Sequence, residues 1–216
     1  MKRSCWRSCG KGSSGQEDDR DGEVEGRLEA YYGLVRRLIK ALETASLDYA
    51  FTGALAASFY GLPRTTTDVD VIVQVTVQSE RSRLVSAFKQ IGLIVDQREV
   101  DRALSSGYNI ATFKDTRTAY SVDTILSTKR LEKRAGTVAG AKTFFQSPED
   151  LILSKLRMIK STVPRKRAVK DEEDVKAILR FTEVDVEKVR QEARRQNTLP
   201  ILEAITTKKN RHMHTR

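Results

Sequence analysis

Two aspartates, Asp68 and Asp70, open the β-branched run Val69 to Val75. On a strand, side chains two positions apart leave the same face, so both carboxylates project together. Held about 5 Å apart, they repel by roughly 3 kcal/mol at an effective dielectric near 20. A fold gains nothing structurally from that arrangement. A divalent cation reverses its sign, and oxygen-only ligands favour Mg²⁺ or Mn²⁺. A third carboxylate, Asp123, lies within Tyr120 to Leu126, another segment of strand character. If the two strands pair side by side, three carboxylates converge and suit a two-metal site. In such a site one ion activates an attacking hydroxyl and the other neutralises phosphate oxygens and the leaving group.

Phosphate-binding features precede the pair. Gly53 and Ala54 fall between a strand and a helix, where free backbone amides can cradle phosphate. Glycine allows the close approach. Arg64 and Thr65 to Thr67 add a cation and hydroxyls just before the carboxylates.

The elements that must hold these residues are legible as periodicities. Leu28, Tyr31, Val35, Leu38 and Leu42 mark one face of a helix. Tyr49 to Phe51 reads as a short strand, and Ala54 to Tyr60 as a short helix stopped by Gly61 and Pro63. Gln78 to Ile91 is helical. Tyr108 to Phe113 and Ala119 to Leu126 form a strand pair, and Thr143 to Phe145 is one more short strand. From Pro148 onward the pattern is helical, with Ser147 as N-cap and acidic Glu149 and Asp150 in the first turn. Three further helices are expected over 168–181, 186–196 and 199–206.

Composition sets the frame. The chain has 216 residues, 39% of them hydrophobic and 31% charged, enough for one domain with a helical appendage. No run approaches the roughly 18 apolar residues of a membrane span. Residues 1–24 are too polar to offset their ordering entropy and read as a disordered leader that is not a secretory signal. Cys5 and Cys9, the two cysteines, exclude a disulfide framework and make a poor zinc site, which fits a cytoplasmic protein. The net charge is +10, and residues 151–216, with seventeen basic and nine acidic side chains, hold +8 of it. That region suits a polyanion such as RNA, DNA or a nucleotide.

Phe51 to Val73 resembles the signature of the nucleotidyltransferase fold, the DNA polymerase β-like superfamily. Its signature is an apolar residue, Gly, then Gly or Ser, a spacer of about a dozen residues, and Asp-x-Asp. Here Thr52-Gly53-Ala54 is followed by thirteen residues and Asp68-Val69-Asp70. Ala56, Tyr60-Gly61, Arg64, Thr66 and Asp68 are similar to a branch with Gly-Gly-x-Ala, Tyr-Gly and Arg-x-Thr-x-Asp-x-Asp. Asp123 matches the third carboxylate. Ala54 departs from the pattern and leaves only its backbone N–H to bind phosphate. Pro148 to Leu156 and Lys170-Asp171-Glu172-Glu173-Asp174-Val175 resemble segments of AbiEii-like toxin nucleotidyltransferases, with Lys155 matching a nucleotide-contacting lysine and Asp171 the first Asp of a Lys-Asp-x-x-Asp motif.

The resemblance implies an α/β (α+β) fold, a small mixed sheet flanked by helices and followed by a C-terminal helical region. It divides the chain into a leader (1–24), a catalytic domain (25–147), the helical region (148–210) and a tail (211–216). It implies an enzyme that moves an NMP from an NTP to a hydroxyl, with Mg²⁺ or Mn²⁺ on Asp68, Asp70 and Asp123. Gly53, Ala54, Arg64, Thr66, Lys155 and Asp171 would bind the nucleotide. RNA or a tRNA end is the favoured acceptor, with a protein or small molecule as others, and an antitoxin protein is the expected partner of a toxin-type member. The alternative is an inactive protein of this fold that binds nucleotide or RNA as a regulatory partner.

Overall fold

The computed structural model describes the backbone of residues 15–105 and 109–211. Its elements run α1 (Gly15–Thr44), β1 (Tyr49–Phe51), α2 (Gly53–Tyr60), β2 (Asp68–Gln74), α3 (Gln78–Gln90), β3 (Leu93–Ile94), α4 (Gln97–Ser105) and β4 (Ile110–Asp115). Then follow β5 (Ser121–Ser127), β6 (Lys133–Val138), β7 (Ala141–Gln146), α5 (Pro148–Ser161), α6 (Val169–Phe181), α7 (Val186–Arg195) and α8 (Leu199–Arg211).

The seven strands make one mixed sheet in the order β3-β4-β5-β2-β1-β7-β6. The centre is β2, because its sequence alternates: Val69, Val71 and Val73 are fully buried, while Asp68 and Asp70 leave the other face. β2 lies antiparallel to β1 and parallel to β5. β5 beside β2 is the adjacency on which the convergence of carboxylates depended, and the parallel register sets Asp70 opposite Asp123.

A single hydrophobic core runs through the molecule. It joins Leu34, Leu38 and Leu42 of α1 to the β2 valines, and reaches Ile152 of α5, Val175 of α6 and Leu202 of α8. The helical region expected as a separate unit therefore shares its core with the sheet. α5 starts as the sequence predicts, with Pro148 in the first turn and the Asp150 N–H donating to Ser147 Oγ at 3.2 Å. Arg37 of α1 braces the far edge, donating to the two oxygens of buried Asp115 at 3.1 and 2.8 Å. Burial pushes the Asp115 carboxyl up, but the Arg37 and Thr118 hydrogen bonds and the guanidinium charge hold it below its usual range.

Three elements escape the periodicity. β3 is two residues long, and α4 has only Val100 and Ala103 on a buried face. β6, Lys133 to Val138, lacks a β-branched run and is fixed by its ladder to β7. Its Lys133 and Arg134 suit an exposed sheet edge. Residues 15–24, expected in the leader, continue α1, since each residue added to a nucleated helix gains a hydrogen bond. Residues 1–14, the strand start at Tyr108 and most of the tail lie outside the described residues. Among the described residues, no helix is long and apolar enough to cross a membrane.

Candidate active site

The carboxylates stand at the start of two neighbouring parallel strands. Asp68 pairs with Ser121 and Asp70 with Asp123 in the β2–β5 register. Adjacent strands lie about 4.8 Å apart, so Asp70 and Asp123 are direct neighbours on one face, with Asp68 two residues along. Asp70 carries the electrostatic cost. Its carboxyl is pushed up to about 6, by burial first and then by the charges of Asp68 and Asp123, against the pull of Lys155 and the Ala54 N–H. Tyr31 behind the strand has its hydroxyl pushed far above its usual range, by burial first and then by Asp70 and Asp68.

The turn before α2 is built against this face. Gly53 has φ +57°, and a Cβ there would stand 1.9 Å from Asp70 Oδ2. Only glycine has both the backbone freedom and the missing atom that this approach needs. The Thr52 N–H donates to the Asp70 carbonyl at 3.0 Å, continuing the β1–β2 ladder into the turn. The Ala54 N–H, expected to serve phosphate, faces the Asp70 carboxylate and draws its pKa down.

Each carboxylate is turned to its own donor. Thr66 Oγ1 donates to Asp68 Oδ1, and Thr112 Oγ1 of β4 donates to Asp123 Oδ1 at 2.6 Å. Among the described residues, no three His, Cys, Asp or Glu side chains form a ready-made metal cage. Mutual repulsion accounts for the separation, since each like charge gains by taking a local donor. The donor set still has the chemistry of a hard divalent cation: oxygen ligands only, on one face, with one carboxyl held high by burial and then by its neighbours.

The helical region closes the other wall. Lys155 of α5 is buried, its Nζ 3.0 Å from Asp171 Oδ1 and 2.7 Å from Asp174 Oδ2, both of α6. Arg64, from the loop before β2, reaches Asp174 Oδ2 at 3.1 Å. Asp174 of α6 thus ties the loop before β2 to α5. In sequence it is the second Asp of the Lys-Asp-x-x-Asp motif, inside an acidic run. Its spacing of three from Asp171 and its place beside Val175 and Ile178 are the signals that set it on the buried face. Thr112 carried no sequence signal, because only the β4–β5 register sets it opposite Asp123.

These residues surround one cavity of about 730 Å³, within the range of small-molecule sites. All nine residues singled out from the sequence are among those that line it: Gly53, Ala54, Arg64, Thr66, Asp68, Asp70, Asp123, Lys155 and Asp171. Lys170 adds a cation, and Ile110, Leu151 and Met158 add apolar surface.

No protein-family model matches the chain, and no curated protein matches it by sequence. Solved structures do. The chain is similar to ANT(2'')-Ia in its complex with adenylyl-2''-tobramycin, at 15% identity and TM-score 0.56, over 78% of this chain and 99% of that one. It is similar to the solution structure of the antibiotic-resistance factor ANT(2'')-Ia, at 14% identity and TM-score 0.55, over 87% and 99%. An antigenic nucleotidyltransferase-like protein from Paracoccidioides brasiliensis follows at 16% identity and TM-score 0.52, over 81% and 90%. The chain has the nucleotidyltransferase fold.

Proposed function

We propose that the protein is a metal-dependent nucleotidyltransferase that moves an NMP from an NTP to a hydroxyl acceptor. The observation that carries this reading is the Asp70–Asp123 register beside a turn that tolerates only Gly53. Asp68 and Asp70 would hold Mg²⁺ or Mn²⁺, with Asp123 completing a second site. When bound, such ions neutralise phosphate oxygens and favour the ionised form of the attacking hydroxyl.

The protein's own residues do the rest. The Gly53–Ala54 turn and Arg64 hold the phosphate chain, and the Ala54 N–H exchanges Asp70 for a phosphate oxygen. Thr66 and Thr112 fix the rotamers of Asp68 and Asp123. Lys155 and Lys170 supply positive charge on the opposite wall. The acceptor oxygen forms a bond to the α-phosphorus and its proton passes to Asp123. The bond from that phosphorus to the bridging oxygen breaks, and pyrophosphate leaves. Positioning and charge neutralisation supply most of the acceleration.

RNA, with a tRNA end foremost, is the favoured acceptor, because the last 66 residues carry +8 of the +10 net charge. A small molecule is the competing acceptor, since ANT(2'')-Ia was solved with adenylyl-2''-tobramycin. The toxin-type branch, with a cytoplasmic location and an antitoxin partner, is supported by the two tail motifs. They meet in space, Lys155 of one against Asp171 of the other. A second reading, an inactive binder of nucleotide or RNA, draws on the separate donors of the three carboxylates. Incubation of total cell RNA and protein with each α-³²P-labelled NTP decides between them. Transfer is expected from the wild type and none from Asp68→Ala/Asp70→Ala. Equal labelling by both proteins would end the proposal, and nucleotide binding without transfer to any acceptor would favour the second reading.

A further inference from the structure

The cavity does not end at the carboxylates. A second compartment of about 610 Å³ continues along the same face of the sheet. Its floor is Ala50, Ile72 and Ile125, the row next to Thr52, Asp70 and Asp123. Its walls are the loop after β5 and the facing sides of α5 and α7. Thr52, Ile125, Ser154 and Arg157 line both compartments, so the two form one cleft.

The division of chemistry between them is unequal. The first compartment is already sufficient for a nucleotide, having the glycine turn, the carboxylates, cations on two walls and apolar surface for a base. The second has a different charge pattern. Lys188 pairs with Glu132 at 3.6 Å, and Arg195 takes Glu192 at 2.5 Å. Among the described residues, Lys129, Arg130 and Arg157 are then left without an ion pair, against the single carboxylate of Asp150. Arg157 is fixed at the junction, donating to Ser154 Oγ and to Gln196 Oε1, each at 2.8 Å. Two of its five N–H groups are used by these bonds, and the residue lines both compartments.

We propose that this second compartment is the acceptor site and that it takes the single-stranded end of an RNA. The inference rests on the nucleotidyl-transfer reading and deepens it. Arg157 receives the phosphate next to the terminal nucleotide, which sets the terminal hydroxyl toward Asp123. Lys129 and Arg130 follow the backbone upstream. The apolar floor carries an unstacked base, which only a single-stranded end can offer. A polycationic amino sugar would meet Lys129, Arg130 and Arg157 here against Asp150 alone, so this compartment favours the polyanion.

The test separates the compartments. Lys129→Ala/Arg130→Ala removes two exposed loop cations that line the second compartment alone. Anisotropy of a short fluorescein-labelled single-stranded RNA with a free 3′-hydroxyl, in Mg²⁺ with α,β-methylene ATP, should report about tenfold weaker binding. The slope of log K against log salt should fall by about 1.4, the value for two single-strand phosphate contacts. Calorimetry should give an unchanged affinity for α,β-methylene ATP. Arg157→Gln should weaken RNA binding as well. Unchanged RNA affinity, an equal loss of nucleotide affinity, or competition by tobramycin against the RNA would each overturn the proposal. Binding is read without turnover. An absence of transfer by the wild type would therefore refute the reaction, not the placement of the RNA.

Discussion

Replacing Asp70 with Asn should stabilise the metal-free protein while destroying its activity. The Asp70 carboxyl is raised from 3.8 to about 6, by burial first and then by Asp68 and Asp123. At 1.36 kcal/mol per unit, the ionised side chain costs the fold roughly 3 kcal/mol at neutral pH. Asp70 lines an open cavity, so solvent screening reduces this to about 1–2 kcal/mol. Asn keeps an acceptor for the Ala54 N–H and removes the repulsion. For a chain of this size the gain amounts to about 2–8 °C in melting temperature.

The sign follows from linkage. A raised carboxyl means that the folded state binds the proton more tightly than the unfolded state between 3.8 and about 6. Wild-type stability therefore falls relative to Asp70→Asn as pH rises through that window, and the gap is constant above it. Urea unfolding of both proteins in EDTA at pH 4.5 and 7.5 measures the gap. A variant less stable than the wild type at pH 7.5, or a gap that ignores pH, would refute the electrostatic reasoning. Mg²⁺ should then stabilise the wild type more than the variant, because a ligand stabilises the form that binds it.

Gly53→Ala forces a Cβ against Asp70 at a left-handed φ. It should cost about 1–2 kcal/mol in urea unfolding and lower transfer about a hundredfold or more. Asp174→Ala leaves buried Lys155 with the partly exposed Asp171 alone and should destabilise by roughly 3 kcal/mol. Asp171→Asn, removing the more exposed partner, should cost less in the same measurement. Asp115 is held low by Arg37, so its contribution is complete above the ordinary carboxyl pKa and is lost as pH falls through the depressed one. The stability gap between wild type and Asp115→Asn should accordingly close in acid, as followed by circular dichroism.

The central sheet and the site were readable because their residues obey local rules. Alternation on β2 declares which face Asp68 and Asp70 occupy, and the glycine turn declares the start of α2. The placement of Asp123 depended on which strand lies beside β2, a non-local fact that periodicity cannot state. What stayed hidden depends on tertiary partners. β6 is a strand because β7 pairs with it, not because of its own residues. Asp174 is the second Asp of the Lys-Asp-x-x-Asp motif, but its role as a tie shows only once Lys155 and Arg64 are brought to it. The Ala54 amide is read from its place in the turn, but that it faces the Asp70 carboxylate is a tertiary fact. The second compartment is made by α5 and α7 meeting the β5–β6 loop across more than fifty residues of sequence, so no motif announces it.

The most direct measurement is a crystal structure of the protein with Mg²⁺ and a non-hydrolysable NTP analogue. The ion should lie between the Asp68 and Asp70 carboxylates. The triphosphate should lie on the Gly53–Ala54 amides, with the Ala54 N–H moved from Asp70 to a phosphate oxygen. A nucleotide bound elsewhere in the cleft, or bound with these carboxylates still turned to Thr66 and Ala54 and no ion between them, would contradict the site.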